Sequence, residues 1–263
     1  MNNKRSPLRD KPLRNPGQSL EEQRRDFVEN AFEPALVAGV LVVLAGLEWS
    51  RYYFSLPPSP ILFTVIAAIA VGYAVFRIRR ALPHTRALRL GIEGERAVGQ
   101  FLERLREDGY QVFHDVVGSG FNVDHVLIGP AGVFTIETKT RSKPARGEAR
   151  VECDGERILV DGFEPDRDPI VQGKAQASWL RTLLSESTGR KLPIRSVILF
   201  PGWFVEQDQA SRREFWVLEP KALRGFLMNE PEVLSAEDVK LASFHLSRFI
   251  RAGEKSNARQ GRQ

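Results

Sequence analysis

The sequence predicts an α/β protein with a mixed central sheet, helices on both faces of that sheet, and two transmembrane helices before it. Between residues 91 and 200 the principal apolar elements follow the order helix, three strands, helix, strand, with a short hairpin at 149–160 before the second helix. This order is typical of an α/β domain built on a mixed sheet. Between residues 35 and 76 lie two long apolar runs, whose composition is typical of membrane-spanning helices.

Composition limits the classes of partner and of metal site. The net charge of +5 favours an anionic partner, either nucleic acid or a lipid surface. The single cysteine, Cys153, excludes an intramolecular disulfide and a cysteine-built zinc site. Four scattered histidines leave oxygen atoms as the ligands for any metal ion, which favours Mg²⁺ or Mn²⁺ over Zn²⁺.

The N-terminal region, residues 1–34, is predicted to be a cytoplasmic tail with a short amphipathic helix. Residues 1–18 are basic, rich in Pro and Asn and without apolar periodicity, which indicates a disordered segment. A helix is predicted to begin at Ser19 and to run to about Phe32.

Residues 35–78 are predicted to form a transmembrane hairpin. The runs Ala35–Leu47 and Ile61–Phe76 flank a proline-rich turn, and aromatic residues after the first run suit the headgroup zone. Two other readings are a pair of buried core helices and a cleaved signal peptide. The late start of the first run and the presence of a second disfavour a signal peptide.

Charge predicts the orientation of this hairpin. The N-terminal tail, residues 1–18, carries five basic residues, and five arginines lie between residues 77 and 89, whereas the connecting loop has only Arg51. By the positive-inside rule both ends lie in the cytoplasm. The sequence therefore predicts a multi-pass protein of the cytoplasmic (inner) membrane, with its soluble domain on the cytoplasmic side. Because arginines at the ends of the hairpin can also hold anionic lipid heads, the positive charge alone is weak support for a nucleic-acid ligand.

The soluble domain is predicted over residues 84–251, followed by a flexible tail at 252–263. Its predicted helices are Gly91–Asp108, Asp168–Ser185, Lys221–Met228 and Ser235–Arg251, and its predicted strands are Tyr110–Val117, Val123–Ile128, Val133–Thr138, Ala149–Cys153, Arg157–Val160, Arg195–Phe200 and Glu214–Leu218. In the helix that opens at Asp168, the inward residues are predicted to be Val171, Ala175, Trp179 and Leu183.

The two central strands are predicted to form a hairpin that brings two carboxylates together. If the hairpin closes on the turn at residues 129–132, Val126 pairs with Thr135 and Asp124 falls opposite Glu137. Lys139 shares their face, because strand side chains alternate with period two. Like charges directly opposite each other are destabilising, and a divalent cation between them would remove that cost.

Two other interpretations of this hairpin remain open. Each carboxylate could make an ordinary ion pair, for instance with Lys139. A register shifted by one residue would send one carboxylate to the opposite face.

Glu95 lies on the apolar stripe of the helix predicted from Gly91, in line with Val98 and Leu102. A carboxylate on a buried face is costly unless it is paired or metal-bound. The alternative is a glutamate in the first turn of a helix, which the helix dipole favours.

At these residues the chain resembles the nuclease-related domain family, NERD, a branch of the PD-(D/E)XK nuclease-like fold. The resemblance covers about residues 88–200 and rests on Gly91-x-x-Gly94-Glu95, VDHVLIGPAGVF at 123–134, IETK at 136–139 and Asp168-Pro169-x-x-Gln172. It implies a restriction-endonuclease-like core, and flanking transmembrane segments would be in keeping with the family.

The resemblance also implies a role for each residue of a site. Asp124 and Glu137 would hold one or two Mg²⁺ (or Mn²⁺) ions together with the backbone carbonyl of Thr138. Glu95 would complete that metal site through water. Lys139 would position or deprotonate the attacking water. Gln172 would orient the water or a phosphate.

Three functions follow as hypotheses. The first is a membrane-tethered, Mg²⁺-dependent phosphodiesterase that acts on DNA or RNA at the cytoplasmic face. The second is a non-enzymatic module that binds nucleic acid or a protein near the membrane. The third is a structural membrane protein whose soluble domain recruits partners.

Overall fold

A computed structural model of the chain describes residues 13–54, 60–118, 120–143 and 149–260. The chain forms two compact units, one of residues 19–90 and one that combines residues 1–18 with 91–263. The predicted proline turn after Phe54, and residues 1–12 of the predicted tail, lie outside the described residues.

The unit of residues 19–90 is a helical hairpin. Helix α1 is Gln18–Tyr53 and helix α2 is Pro60–Glu103, so the last part of α2 belongs to the other unit. Trp49 Nε1 donates a hydrogen bond to Thr64 Oγ1 at 2.9 Å, and the Phe27 and His84 rings lie 4.7 Å apart. The end of α1 thus lies beside the beginning of α2, and an early residue of α1 lies beside a later residue of α2. The two helices are therefore antiparallel.

Within the described residues one helix, α1, is long and apolar enough to cross a membrane by length and composition. The second predicted span, at the start of α2, does not meet that criterion there. The prediction of two membrane helices is therefore supported only for the first.

Both helices are longer than the sequence predicted. The short helix predicted from Ser19 is the beginning of α1, which continues through Pro34 to Tyr53. The helix predicted from Gly91 is the end of α2, followed by a 3-10 turn at Arg104–Asp108. Gly109 ends that turn in the left-handed conformation, with φ of 86°.

The mixed central sheet is confirmed. Its five strands lie in the order β1-β2-β3-β6-β8. The pairs β1/β2 and β2/β3 are antiparallel, whereas β3/β6 and β6/β8 are parallel. The strands are β1 Gln111–Val117, β2 Asn122–Gly129, β3 Gly132–Thr138, β6 Ile194–Leu199 and β8 Phe215–Leu218.

Helices cover both faces of this sheet, as predicted. One face packs against α3 (Pro169–Thr188) and α5 (Ala236–Gln260), and the other against the end of α2 and α4 (Pro220–Met228). The side chains of the central hairpin alternate between the two cores, as expected for strands that are covered on both faces. Val126, Ile128 and Val133 belong to the first core, and Leu127, Phe134 and Ile136 to the second.

A second, three-stranded sheet was only partly predicted. Its strands are β4 Arg150–Cys153, β5 Ile158–Val160 and β7 Phe204–Gln207, in the order β5-β4-β7. The hairpin of β4 and β5 is confirmed, but β7 was not predicted. Helix α5 also continues to Gln260, beyond its predicted end at Arg251.

The predicted inward face of α3 is only partly correct, because Trp179 and Leu183 pack against the first core whereas Val171 and Ala175 do not. Val171 is 64% exposed, and Ala175 is exposed as well. The buried positions are instead Ile170, Gly173, Gln176, Ala177, Leu180 and Leu184. The helix is turned so that Gly173 approaches Ser196 of β6, where an added Cβ would lie 2.3 Å from Ser196 Oγ. This rotation brings a polar side chain, Gln176, onto the buried face.

Candidate functional site

The predicted register of the central hairpin is confirmed. Val126 pairs with Thr135 and His125 with Ile136, and the next step of the same register sets Asp124 across from Glu137. The Thr138 N–H donates to Asp124 Oδ2 at 2.6 Å, which ties the end of β3 to the carboxylate of β2. The shifted-register alternative is therefore wrong.

Glu137 is the most densely bonded side chain of this region. Its Oε1 accepts hydrogen bonds from Lys139 Nζ at 2.7 Å and from Gln172 Nε2 at 2.7 Å. Its Oε2 accepts from Gln176 Nε2 at 2.6 Å. Lys139 Nζ also donates to Gln172 Oε1 at 2.8 Å. Residues 137, 139 and 172, which the sequence proposed for one site, thus lie in direct contact.

Asp124 belongs to the same electrostatic cluster. Burial of its carboxyl group raises its pKa well above the ordinary value, and the charges of Glu137 and Glu95 raise it further. The Thr138 N–H and the Lys139 ammonium act in the opposite direction. The Thr138 N–H and the Lys139 ammonium therefore offset only part of the cost of ionising Asp124.

Glu95 reaches this cluster from helix α2. Its side chain is 7% exposed, and burial raises its pKa to about 8, with contributions from the charges of Asp115 and Glu137. A hydrogen bond from the Gly17 backbone N–H and the Lys139 charge oppose the rise. The helix-dipole alternative for Glu95 is wrong, because α2 begins at Pro60 and Glu95 lies far from its first turn.

Asp115 is an acidic neighbour that the sequence did not single out. It is 2% exposed and has a positive φ of 50°, which is uncommon for a non-glycine residue. The β1/β2 ladder runs through His114↔His125 and resumes at Val116↔Val123, so Asp115 and Asp124 occupy the gap between these pairs. Asp115 is placed beside the cluster by a break in the β1/β2 ladder, and neither apolar periodicity nor a short motif in the sequence marks such a break.

Gln176 is the second residue that the sequence analysis left out of the site. Its Nε2 donates both to Glu137 and, at 3.0 Å, to the Asn122 carbonyl. The available signal was its position one helical turn after Gln172, which places the two amides on neighbouring parts of one surface.

The histidines of the first two strands bond to each other. His125 Nδ1 and His114 Nδ1 lie 2.9 Å apart, and His114 Nε2 lies 2.8 Å from Glu103 Oε1. Burial lowers the pKa of both imidazoles. These contacts give His125 a hydrogen-bonding role within the first two strands.

The atoms of this cluster that could bind a metal ion are oxygens, which are the ligands that a hard cation prefers. Asp124, Glu137 and the Thr138 backbone carbonyl would supply oxygen ligands. Thr138 Oγ1 and Gln176 Oε1 are buried without hydrogen-bond partners among the described residues. The same part of the chain holds no group of three or more His, Cys, Asp or Glu side chains arranged to bind a metal ion. Mg²⁺ commonly takes only one or two carboxylates and retains several waters, so the donor set fits that ion with water completing its shell.

Comparisons with known proteins bear on this region. Residues 90–201, less than half of the chain, match the family model of the nuclease-related domain, NERD. A search of curated proteins found no match. A crystal structure of protein VC1899 from Vibrio cholerae is 13% identical, with a TM-score of 0.29, and the alignment covers 88% of this chain and 58% of that one. A TM-score this low does not establish a shared fold.

The matched segment contains Glu95, Asp124, Glu137, Lys139 and Gln172. It also contains the whole central hairpin and the first part of α3. The match supports placing residues 90–201 in the NERD family of nuclease-related domains.

Proposed function

We propose that the chain is a membrane-anchored, Mg²⁺-dependent nuclease-like protein that hydrolyses phosphodiester bonds of DNA or RNA at the cytoplasmic face. The nuclease-related match indicates a nuclease-like or nucleic-acid-related function. The observation that carries the proposal further is the contact of Glu137 with Lys139 and Gln172, beside the carboxylate of Asp124.

The proposed cation site consists of Asp124, Glu137 and the Thr138 carbonyl, with Glu95 acting through water. Bound Mg²⁺ would polarise the phosphodiester and lower the pKa of a coordinated water. The raised pKa values of Asp124 and Glu95 support this assignment, because a divalent cation would supply the charge compensation that the protein groups leave incomplete.

Lys139 and Gln172 are proposed to act on the substrate and the attacking water. The Lys139 ammonium is held by two contacts of 2.7 and 2.8 Å, so it is fixed before substrate binds. A preorganised ammonium stabilises negative charge that develops on the phosphoryl oxygens. Gln172 holds Lys139 through its carbonyl and Glu137 through its amide, and a small rotation would present either group to a water.

The full chain, incubated with Mg²⁺ and labelled single- and double-stranded DNA and RNA, tests the catalytic claim. We expect cleavage that is lost on chelation and in the Asp124→Ala and Glu137→Ala variants. An Asp154→Ala variant is the control, because Asp154 is an exposed aspartate at the turn between β4 and β5. Cleavage that persists without Asp124 and Glu137 would exclude this site as its source.

A second candidate function is a module that binds nucleic acid without cleaving it. Both oxygens of Glu137 already accept hydrogen bonds from protein groups, and the described residues lack a three-ligand metal cluster. This candidate predicts binding that is independent of Mg²⁺ and no turnover. Binding by fluorescence anisotropy, measured with and without chelator beside the cleavage assay, separates the two functions.

The proposed membrane anchor is the helical hairpin of α1 and α2. Only 13% of the apolar window of α1 is buried, and both helices expose large apolar side chains, among them Leu36, Leu47, Ile69 and Phe76. Ala38 and Ala45 of α1, and Ala67 and Ala74 of α2, are buried at seven-residue spacing. Small residues at a helix interface let the two helices approach closely, as is common in membrane helices.

Thiol labelling of intact cells tests this anchor and its orientation. In a Cys153→Ser background, Tyr53→Cys should react with a membrane-impermeant reagent from outside. Phe163→Cys, at a position 74% exposed in the soluble unit, should react only after lysis. Equal labelling of both positions in intact cells, or release of the protein by alkaline carbonate, would contradict the anchor.

A further inference from the structure

Residues 13–17 precede the first helix, yet they belong to the same compact unit as the candidate site. Leu13 packs against the core that α3 and α5 share with the sheet. Arg14, Pro16 and Gly17 each contact a residue close to the acidic cluster. Residues 13–17, which the sequence predicted to be disordered, are therefore attached at several points to the compact unit that contains residues 91–263.

Arg14 makes a buried ion pair. Its Nε donates to Asp115 Oδ2 at 2.6 Å, and the two side chains are 9% and 3% exposed. Asp115 is one of the charges that raise the pKa of Glu95. A guanidinium at this place offsets negative charge inside the cluster, and breaking a buried pair by removing one partner is strongly disruptive.

Pro16 and Gly17 make the remaining contacts. Pro16 lies directly on Gly99 of α2, where an added Cβ would come within 2.5 Å of Pro16 Cγ. The Gly17 N–H donates to the Glu95 carboxylate, and Gly17 adopts a positive φ of 71°. Gly99 thus leaves the space in which the segment reaches Glu95, and Gly17 supplies the backbone conformation that aims its N–H at the carboxylate.

We propose that residues 13–17 form a strap that completes the candidate site, with Arg14 as the counter-ion of Asp115 and Gly17 as the donor that orients Glu95. The inference rests on the proposed function for its catalytic consequence. Arg14 and Gly17 are positioning residues, because they reach the reacting groups only through Asp115 and Glu95. Orienting partners of this kind typically change metal affinity or activity by a factor of about 10 to 100 when they are removed.

Trypsin digestion of the full chain tests whether the strap is docked, independently of any activity. Trypsin cuts after arginine, and a docked Arg14 protects the Arg14–Asn15 bond. The exposed Arg157, whose side chain is 63% accessible, provides an internal reference. In wild type we expect the bond after Arg14 to be cut much more slowly than the bond after Arg157. In Gly99→Ala we expect the two bonds to be cut at comparable rates.

Kinetics of the full chain test the positioning role. Arg14→Gln and Gly99→Ala should each lower kcat for nucleic-acid cleavage about tenfold while leaving KM within about twofold. Arg14→Lys should restore most of the rate, because a lysine keeps the charge next to Asp115. Gly99→Ala is informative because alanine favours the helix by about 1 kcal/mol, so a loss of activity would not reflect a weakened α2. Arg157→Gln, which removes an exposed ion pair, is the matched control.

The results separate failure of the strap from failure of the proposed function. Wild type that cleaves nucleic acid, with normal kcat in both Arg14→Gln and Gly99→Ala, would overturn the positioning role. Wild type that neither cleaves nor binds Mn²⁺ would overturn the proposed function, and slow cutting after Arg14 would then still support a docked strap. Rapid cutting after Arg14 in wild type would overturn the strap in either case.

Discussion

The side-chain amide of Gln176 donates to Glu137 Oε2 at 2.6 Å and also holds the Asn122 carbonyl. This contact joins α3 to two neighbouring strands, β2 and β3, at the edge of the acidic cluster. It fixes the orientation of the Glu137 carboxylate, whose other oxygen contacts Lys139 and Gln172. The geometry of the candidate site therefore depends on Gln176, a residue that the sequence analysis did not include in the site.

Replacing Gln176 should reduce activity more than its effect on stability explains. Gln176→Ala leaves Glu137 Oε2 without its donor, and we expect kcat to fall about 10- to 100-fold. Gln207→Ala is the matched control, because Gln207 is also buried and bonds to Phe215 and Val217 in a different part of the unit. Both variants should lose about 1–3 kcal/mol of unfolding free energy, whereas only Gln176→Ala should lose activity per folded molecule.

Removing the charge of Asp124 should stabilise the protein while abolishing cleavage. Burial and two neighbouring carboxylates raise the Asp124 pKa, so its ionisation above the ordinary pKa costs the folded state free energy. Asp124→Asn cannot ionise and keeps an oxygen for the Thr138 N–H. At pH 8 without metal, Asp124→Asn should therefore unfold at a higher temperature than wild type in a thermal melt.

Asp154→Asn should behave in the opposite way. Backbone N–H groups and Arg157 lower the pKa of Asp154, so its ionised form is favoured in the folded state. The substitution should not stabilise the protein. A stabilisation of equal size in both variants would indicate a general charge effect and contradict the clustering of carboxylates at Asp124.

The raised pKa of Glu95 predicts a fall in stability as the pH rises. Between pH 4.5, the ordinary pKa of glutamate, and about pH 8, the folded protein holds a proton on Glu95 that the unfolded chain releases. Its contribution to stability is complete below pH 4.5 and is lost as the pH approaches 8, with a slope of at most about 1.4 kcal/mol per pH unit. Denaturant unfolding of wild type and Glu95→Gln at several pH values measures this slope. A difference between the two proteins that does not change with pH would contradict it.

Divalent metal should reverse this pH effect. A cation binds the ionised carboxylates, so Mn²⁺ should stabilise the folded chain by about 2.7 kcal/mol at a hundred times its Kd. The stabilisation should grow from pH 5.5 to pH 8 because fewer protons compete. Asp124→Asn should abolish it. An equal shift in wild type and Asp124→Asn would place the ion elsewhere.

Replacing Lys139 should affect turnover more than affinity for nucleic acid. Lys139→Met removes the ammonium, whereas Glu137 keeps its contacts with Gln172 and Gln176. We expect kcat to fall at least about tenfold, with the salt dependence of binding reduced by about one charge. Lys174→Met is the control, because Lys174 is an exposed lysine on the same helix as Gln172 and pairs with Glu214. A rate unchanged by Lys139→Met would show that the ammonium takes no part in the reaction.

The sequence predicted the parts of this fold that depend on local periodicity. The hairpin register followed from the turn at residues 129–132, and the division of its side chains between two cores followed from strand alternation. The face of α3 was not predictable in the same way. That helix carries two overlapping apolar stripes, and residues of both pack against the first core. The close approach of Gly173 to Ser196 lies on the stripe that is more fully buried.

Long-range pairing explains the rest of what the sequence did not predict. Arg14 and Asp115 are 101 positions apart, and neither belongs to an apolar pattern. Asp115 matters because its backbone leaves the ladder, and Arg14 because a buried carboxylate needs a counter-ion. Such pairs depend on tertiary structure, which local sequence patterns do not encode.

The Arg14–Asp115 ion pair also constrains the parity of any membrane crossing. The chain leaves the unit of residues 1–18 and 91–263 after Gln18 and returns to it at Gly91, and the paired residues lie on either side of the intervening segment. An odd number of crossings would leave the guanidinium and the carboxylate in different compartments. Residues 19–90 can therefore cross a bilayer twice or not at all, and a one-pass topology is incompatible with this contact.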